Sequence, residues 1–279
     1  MQQVTSSKFS KPNLFYCELK LVSLVYQIME LNGTTAVITG ASGRLGSAVA
    51  KALAKAGCNC ICHYHHNSKV AEELVEQIRG FGVKALAVEA DLVEPPQIED
   101  LFEKAEQFDI PQILVNSAAV FSRQSLEKIT FEEAQRVLNL NLIAPIMISQ
   151  AFTKKLNERF TPAPVAQRVA VGKIINIVDI GGIRPWAEYV LYCSSKAGLI
   201  GATKALAKEL APRICVNSIA VGIVDWPGNF AEEEKKRQLS FIPAGRFAKP
   251  GEVAGAIIFL LKNDYITGQV LNIDGGRCI

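Results

Sequence analysis

Tyr192-Cys193-Ser194-Ser195-Lys196 combines residue types and a spacing that could do chemistry. Helical positions four apart lie on one face, so this spacing sets an ammonium beside a phenol. A neighbouring ammonium favours phenolate, and the expectation is a tyrosine pKa lowered toward working pH, with Tyr192 as proton donor in a reduction. Tyr189 has no lysine four residues on, which singles out Tyr192. A Tyr/Lys pair taken alone is also an ordinary feature of a helix surface. Asp179 lies thirteen residues before the tyrosine, at the end of an apolar run. An ionised carboxylate accepts hydrogen bonds and donates none. It therefore suits a substrate with N–H donors, or one whose ring nitrogen must gain a proton, and opposes an oxyanion growing on a ketone. The alternative is an Asp with a purely structural role.

A second constellation is Thr39-Gly40-Ala41-Ser42-Gly43-Arg44-Leu45-Gly46. Glycines let a backbone approach a pyrophosphate closely, and a helix N-terminus offers free N–H groups with a partial positive charge. Glycine-rich turns also occur for structural reasons; this one gains weight from its place between a strand and a helix. NAD-selective folds of this kind put an Asp or Glu near the end of the second strand, against the ribose 2′-hydroxyl. Here that stretch reads His63-Tyr64-His65-His66-Asn67-Ser68-Lys69, without an acid. Together with Arg44 it suits a 2′-phosphate, so the expected cofactor is NADP(H).

The elements needed to position these residues recur along the chain. Strands are expected at Thr34 to Ile38, Cys60 to Tyr64, Lys84 to Glu89, Gln112 to Val115, Lys173 to Val178, Ile214 to Ile219 and Val270 to Ile273. Helices are expected at about Leu45 to Ala56, Val70 to Phe81, Gln97 to Gln107, Phe131 to Leu156, Val190 to Leu210 and Gly251 to Leu261. Such alternation implies an α/β domain with a parallel sheet and helices on both faces. Thr161 to Val171 reads as a loop insertion. Gly222 to Gly245, carrying Asp225, Trp226, Pro227 and Gly228, reads as a long connection from the end of a strand, where open α/β sheets bind ligands.

The 279 residues are 49% hydrophobic and 20% charged, the profile of a soluble protein with a substantial core. A net charge of +3 without long runs of one sign points to neither nucleic acid nor a membrane surface. The seven cysteines include no C-x-x-C pair, and Cys58, Cys60 and Cys62 alternate, which on a strand puts them on one packed face rather than around a metal. They read as reduced thiols, and the expected location is cytoplasmic. Residues 1–28 stand apart as an N-terminal extension, and their apolar stretch Leu21 to Ile28 is too short to span a bilayer.

Thr39-Gly40 with Gly46, Asn116-Ser117-Ala118-Ala119, Asn141, and Tyr192 with Lys196 resemble the short-chain dehydrogenase/reductase family over residues 31–279. The resemblance implies a doubly wound, Rossmann-type single domain. It makes Tyr192 the acid/base, Lys196 the residue that binds the nicotinamide ribose and tunes Tyr192, and Asn141 the holder of a proton-relay water. It places Gly40, Ser42, Arg44, Leu45, Gly46, His65, His66, Asn67, Ser68, Asp91, Leu92, Asn116, Ala118, Gly222 and Val224 along the cofactor. A serine is usual where Asp179 stands, and a proline where Val221 stands. Asp179, Arg44, His63-Tyr64-His65, Phe121 and the lengthened loop before the fifth strand resemble the pteridine reductase branch, although Ser117 and Ala119 replace its more polar motif. In that branch the aromatic stacks on the pterin and the arginine touches pterin and cofactor, so Arg44, Phe121, Asp179, Tyr192 and Trp226 become the substrate residues. Phe121 could equally be plain core.

Three functions follow as expectations: a pteridine-type reductase, a 3-oxoacyl-thioester or other carbonyl reductase, and a cofactor-binding regulator without turnover. The resemblance also implies a homotetramer built on Phe131 to Leu156 and Val190 to Leu210.

Overall fold

The computed structural model describes residues 29–160, 170–225 and 231–279. The Leu21 to Ile28 stretch, most of the Thr161 to Val171 insertion, and Trp226, Pro227 and Gly228 lie outside the described residues. Seven strands form one sheet in the order β3-β2-β1-β4-β5-β6-β7, and every pairing is parallel. They are β1 (Thr35–Ile38), β2 (Asn59–Tyr64), β3 (Ala85–Glu89), β4 (Ile113–Asn116), β5 (Gly172–Asp179), β6 (Ile214–Val221) and β7 (Val270–Ile273).

The helices are α1 (Arg44–Lys55), α2 (Ser68–Arg79), α3 (Pro95–Phe108), α4 (Phe131–Leu138), α5 (Ala144–Arg159), α6 (Val190–Leu210), α7 (Glu232–Ser240) and α8 (Pro250–Leu261). Alternate strand residues feed opposite faces. Ala36, Ile38, Cys60 and Cys62 pack with α1, α2 and α8. Val37, Ile61 and Leu114 pack with α3, α5 and the end of α6. The three alternating cysteines lie buried on one face, and burial pushes the Cys62 thiol up to about 12, which leaves it an inert hydrophobe.

The strand order reverses between β1 and β4. Ligands of open parallel sheets bind at such a switch, beyond the strand carboxyl ends. Gly40, His65, Asn116 and Asp179 all stand at or just past those ends.

Two expectations need correction. Phe131 to Leu156 is not one α-helix: a π turn, Asn139–Ile143, separates α4 from α5. Residue 141 is turned inward there, and both ends of its amide bond the Val120 backbone. The stretch Gly222 to Gly245 is not wholly connection, since it contains α7. That helix buries no residue, so no apolar period announced it. Three glutamates in its first turn and Arg237 in its last complement the helix dipole.

Candidate active site

Asp179 closes β5. Its Oδ1 accepts the Gly181 N–H at 2.7 Å, capping a short 3₁₀ turn, and its Oδ2 accepts the Tyr192 hydroxyl at 3.0 Å. Tyr192 and Lys196 share the buried face of α6, which packs on β5 and β6. The Lys196 ammonium donates to the Ile177 carbonyl at 3.0 Å and stands 5.9 Å from the centre of the Tyr192 ring. Ser195, which nothing in the sequence singled out, ties the cluster together: its Oγ donates to the Tyr192 carbonyl and accepts from Asn141.

The electrostatics differ from expectation. Burial, and then the Asp179 charge and hydrogen bond, push the Tyr192 pKa well above its usual value. The expected lowering by Lys196 is overturned, because the carboxylate takes the hydroxyl. Burial lowers Lys196 to about 8, against the pull of Asp179. Asp179 is itself raised by burial, opposed by the Gly181 N–H, Tyr192, Lys196 and Arg277. Tyr192 is thus held protonated with its donor engaged.

Phe121 is not core. It is 61% exposed, with its ring edge-on to Tyr192 at 4.8 Å and beside Tyr189 at 5.0 Å. Trp186 extends this aromatic wall through Tyr189.

At the other end, Gly40 has φ +64°, and a Cβ there would lie 2.8 Å from the Ala118 Cα. A Cβ on Gly46 would lie 2.4 Å from the Gly40 carbonyl oxygen. Thr39 Oγ1 accepts the N–H groups of Ser117 and Ala118 and so locks this turn to the end of β4. The start of α1 has neither a side-chain cap nor an acidic residue in its first turn, so its N–H groups stay free beside Ser42 and Arg44. That donor set fits a pyrophosphate. Arg44 is exposed and reaches the Val224 carbonyl at 3.4 Å.

His65 and His66 are exposed and stacked, with His65 Nε2 3.6 Å from Asp91. Asn67 and Ser68 begin α2 next to them. This rim of imidazole, amide and hydroxyl groups fits a 2′-phosphate. His63 belongs elsewhere: it is buried, its Nδ1 accepts the Gly40 N–H at 3.0 Å, and its Nε2 meets the Ala90 carbonyl at 2.9 Å. The side chains of Leu45 and Leu92 pack on the core. Asn116 is buried and donates to Asn176, joining β4 to β5. Gly222 permits close approach of Asp274, and Val224 bridges to Ala248. Trp226 lies outside the described residues. Among the described residues, no helix is long and apolar enough to cross a membrane.

A doubly wound sheet with a phosphate-fitting turn at its switch point and a buried Tyr/Lys/Asn cluster opposite defines a nucleotide-dependent oxidoreductase. Residues 40–277 match the family model described as enoyl-(acyl carrier protein) reductase. A 3-oxoacyl-[acyl-carrier-protein] reductase of Synechocystis sp. is 34% identical over 253 residues, 88% of this chain and 97% of that protein. A reductase of the same description from Aquifex aeolicus is 35% identical over 257 residues, 89% of this chain and 98% of that protein. A short-chain dehydrogenase from Burkholderia cenocepacia, solved with NADP, superposes with a TM-score of 0.81 at 32% identity, covering 90% of this chain and 100% of that one. A blue fluorescent protein from a metagenomic library, solved with NADPH, does so with a TM-score of 0.80 at 30% identity and the same coverage. The chain belongs to the short-chain dehydrogenase/reductase family and is an oxidoreductase of that family.

Proposed function

We propose that this enzyme is an NADP(H)-dependent reductase acting on a C=N bond of a pteridine, a dihydropterin or dihydrofolate-like substrate. Arg44, the His65-His66 pair and the acid-free end of β2 support NADP(H), as do the two NADP(H)-bound structural relatives. The observation that carries the substrate class is the Asp179–Tyr192 hydrogen bond. A carboxylate at that place accepts from N–H groups and gives nothing to a ketone oxygen. Phe121, exposed beside Tyr192, supplies a face on which a flat heterocycle can stack.

When bound, NADPH supplies the hydride. Tyr192 keeps its proton, directed at Asp179, until the ring nitrogen turns basic, then turns its O–H from the carboxylate to that nitrogen and donates the proton from Oη, so that C=N becomes CH–NH. Lys196 offsets the charge left on the phenolate. Asp179 orients the hydroxyl and accepts ring N–H donors, while Asn141 and Ser195 fix the Tyr192 backbone. Arg44, Phe121, Asp179, Tyr192 and Trp226 make up the substrate side in this reading.

A second reading, 3-oxoacyl-thioester reduction, is favoured by the names of the Synechocystis and Aquifex relatives. A regulator without turnover has no need of the Tyr192, Lys196 and Asn141 cluster. The test is NADPH oxidation with dihydrobiopterin, dihydrofolate and a 3-oxoacyl thioester. Reduction of the dihydropterins is expected, and turnover of the thioester alone would give the second reading its place. The same proposal takes residues 29–279 as the functional unit behind a 1–28 extension. It also takes the cytoplasm as the location, supported by free buried thiols, and a homotetramer, supported by exposed Phe131 at the start of α4, Ile143 in the π turn and Val190 at the start of α6.

A further inference from the structure

The aromatic wall beside Tyr192 comes from two separate loops. Phe121 lies on the loop after β4, where Asn141 holds Val120 and Ser122 Oγ donates to Glu133 of α4 at 2.6 Å. Trp186 and Tyr189 lie on the loop before α6. Among the described residues, every hydrogen bond between the two loops runs to Glu188. Its carbonyl accepts the Gln124 N–H at 2.7 Å. Its carboxylate accepts from Arg123 Nη2 and, at 3.1 Å, from Arg123 Nε. Glu188 has φ +68°, a backbone that residues with a Cβ seldom adopt and that clusters at functional sites. The Arg123 and Glu188 side chains are 64% and 47% exposed, and a pair so exposed adds little to the stability of a fold. What it does fix is the wall. Arg123 follows Phe121 by two residues and Glu188 directly precedes Tyr189, and the two rings stand 5.0 Å apart.

We propose that Arg123 and Glu188 are a positioning pair: their clasp between the two loops sets the face that Phe121 and Tyr189 offer, and so favours flat ring substrates over open-chain ones. The inference rests on the reductase reading above and deepens it. A stacking face already held in place spares the cost of ordering it when a ring binds, and an open-chain substrate has no use for it. The proton transfer stays with Asp179, Tyr192 and Lys196, whose hydrogen bonds run to one another and to β5 rather than to the pair. Phe121 meets the Tyr192 ring edge-on at 4.8 Å, so a ring lying on Phe121 lies beside the phenol that donates the proton. Loss of the clasp should weaken binding of the ring equally before and during the reaction, which raises KM at constant kcat.

The test compares wild type with Arg123→Met, Glu188→Ala, Glu188→Gly and the exchanged pair Arg123→Glu/Glu188→Arg. Steady-state kinetics are measured with dihydrobiopterin and with acetoacetyl thioester, alongside NADPH affinity and the near-ultraviolet circular dichroism of the aromatic rings. Each single variant should raise KM for dihydrobiopterin about fivefold, the upper range for an exposed ion pair. Glu188→Gly suits the left-handed backbone but removes the carboxylate, so it should match Glu188→Ala. The kcat, the NADPH affinity and the KM for the thioester should stay at wild-type values, and the aromatic bands should weaken. The exchanged pair should recover part of the KM and of the bands, which two independent structural losses would not do. The proposal is overturned if the single variants keep the wild-type KM, if kcat falls as KM rises, if the thioester suffers equally, or if the exchange recovers nothing. Wild type that turns over the thioester and ignores dihydrobiopterin would sink the pteridine reading, and the bands then decide alone. Weakened in the single variants and recovered in the exchange, they keep the pair as what positions the wall; unaltered, they overturn it as well.

Discussion

Asp179 and Tyr192 act as a unit, and each can be separated from it by substitution. Replacing the carboxylate with Ser removes the acceptor and the charge that hold the Tyr192 pKa up, and supplies a hydroxyl donor for a carbonyl oxygen. Asp179→Ser should therefore lower kcat/KM for dihydropterins by about a hundredfold, on the scale of one transition-state contact. Oxoacyl reduction should stay level or rise. The phenol should titrate at lower pH, read as tyrosinate absorbance. Unaltered activity on both substrate classes, with unaltered titration, would make Asp179 merely tolerated. Tyr192→Phe should cost about two to four orders of magnitude in rate with NADPH binding retained; most of the activity surviving would mean another group is the acid. Spacing drew attention to the tyrosine, the lysine and the aspartate, the family resemblance supplied their expected roles, and the structure brings the three side chains together. Their electrostatics were not legible, because the sequence does not show which of two charges takes the hydroxyl.

The sheet and most helices were legible because strands buried on both faces are continuous apolar runs and packed helices carry an apolar period. Val190 to Leu210 and Val270 to Ile273 coincide with α6 and β7. The misses have physical reasons. In α7 no residue is buried, so it has no period to read. The π turn is invisible to a 3.6-residue period because both flanking helices keep that period and only their phase shifts. That phase shift seats Asn141 under Val120, with 2.8 Å bonds to both its N–H and its carbonyl. Asn141→Ala leaves both groups without these partners and should cost about 2 kcal/mol in urea denaturation. It should also loosen the Val120-Phe121 segment and raise KM for a stacking substrate. A variant as stable as wild type would show that the π turn is held by other contacts.

At the scale of the molecule, stability and cofactor geometry meet at His63. His63, His65 and His66 read alike as residue types, and what tells them apart is that β2 ends at Tyr64, so residue 63 is covered within the sheet while the other two lie exposed past its end. At 2% exposure His63 joins the Gly40 turn to the end of β3 through Ala90. Burial, the main cause, lowers its pKa from 6.5 to about 4. In the unfolded chain the imidazole returns to its ordinary value, so between pH 6.5 and 4 the unfolded state binds a proton that the folded state does not. Its contribution to stability is then complete above pH 6.5 and is lost as pH falls toward 4, by about 3 kcal/mol in all. Protonation in the folded state would also remove the acceptor for the Gly40 N–H and disturb the turn that fits the pyrophosphate. The urea midpoint should accordingly decline with acidification more steeply in wild type than in His63→Gln, which retains hydrogen-bonding atoms but cannot titrate. NADPH affinity should weaken over the lower part of the same range in wild type. Parallel midpoint curves for the two proteins between pH 6.5 and 4 would mean that His63 is already charged in the folded protein, and that the Gly40 turn is held without it.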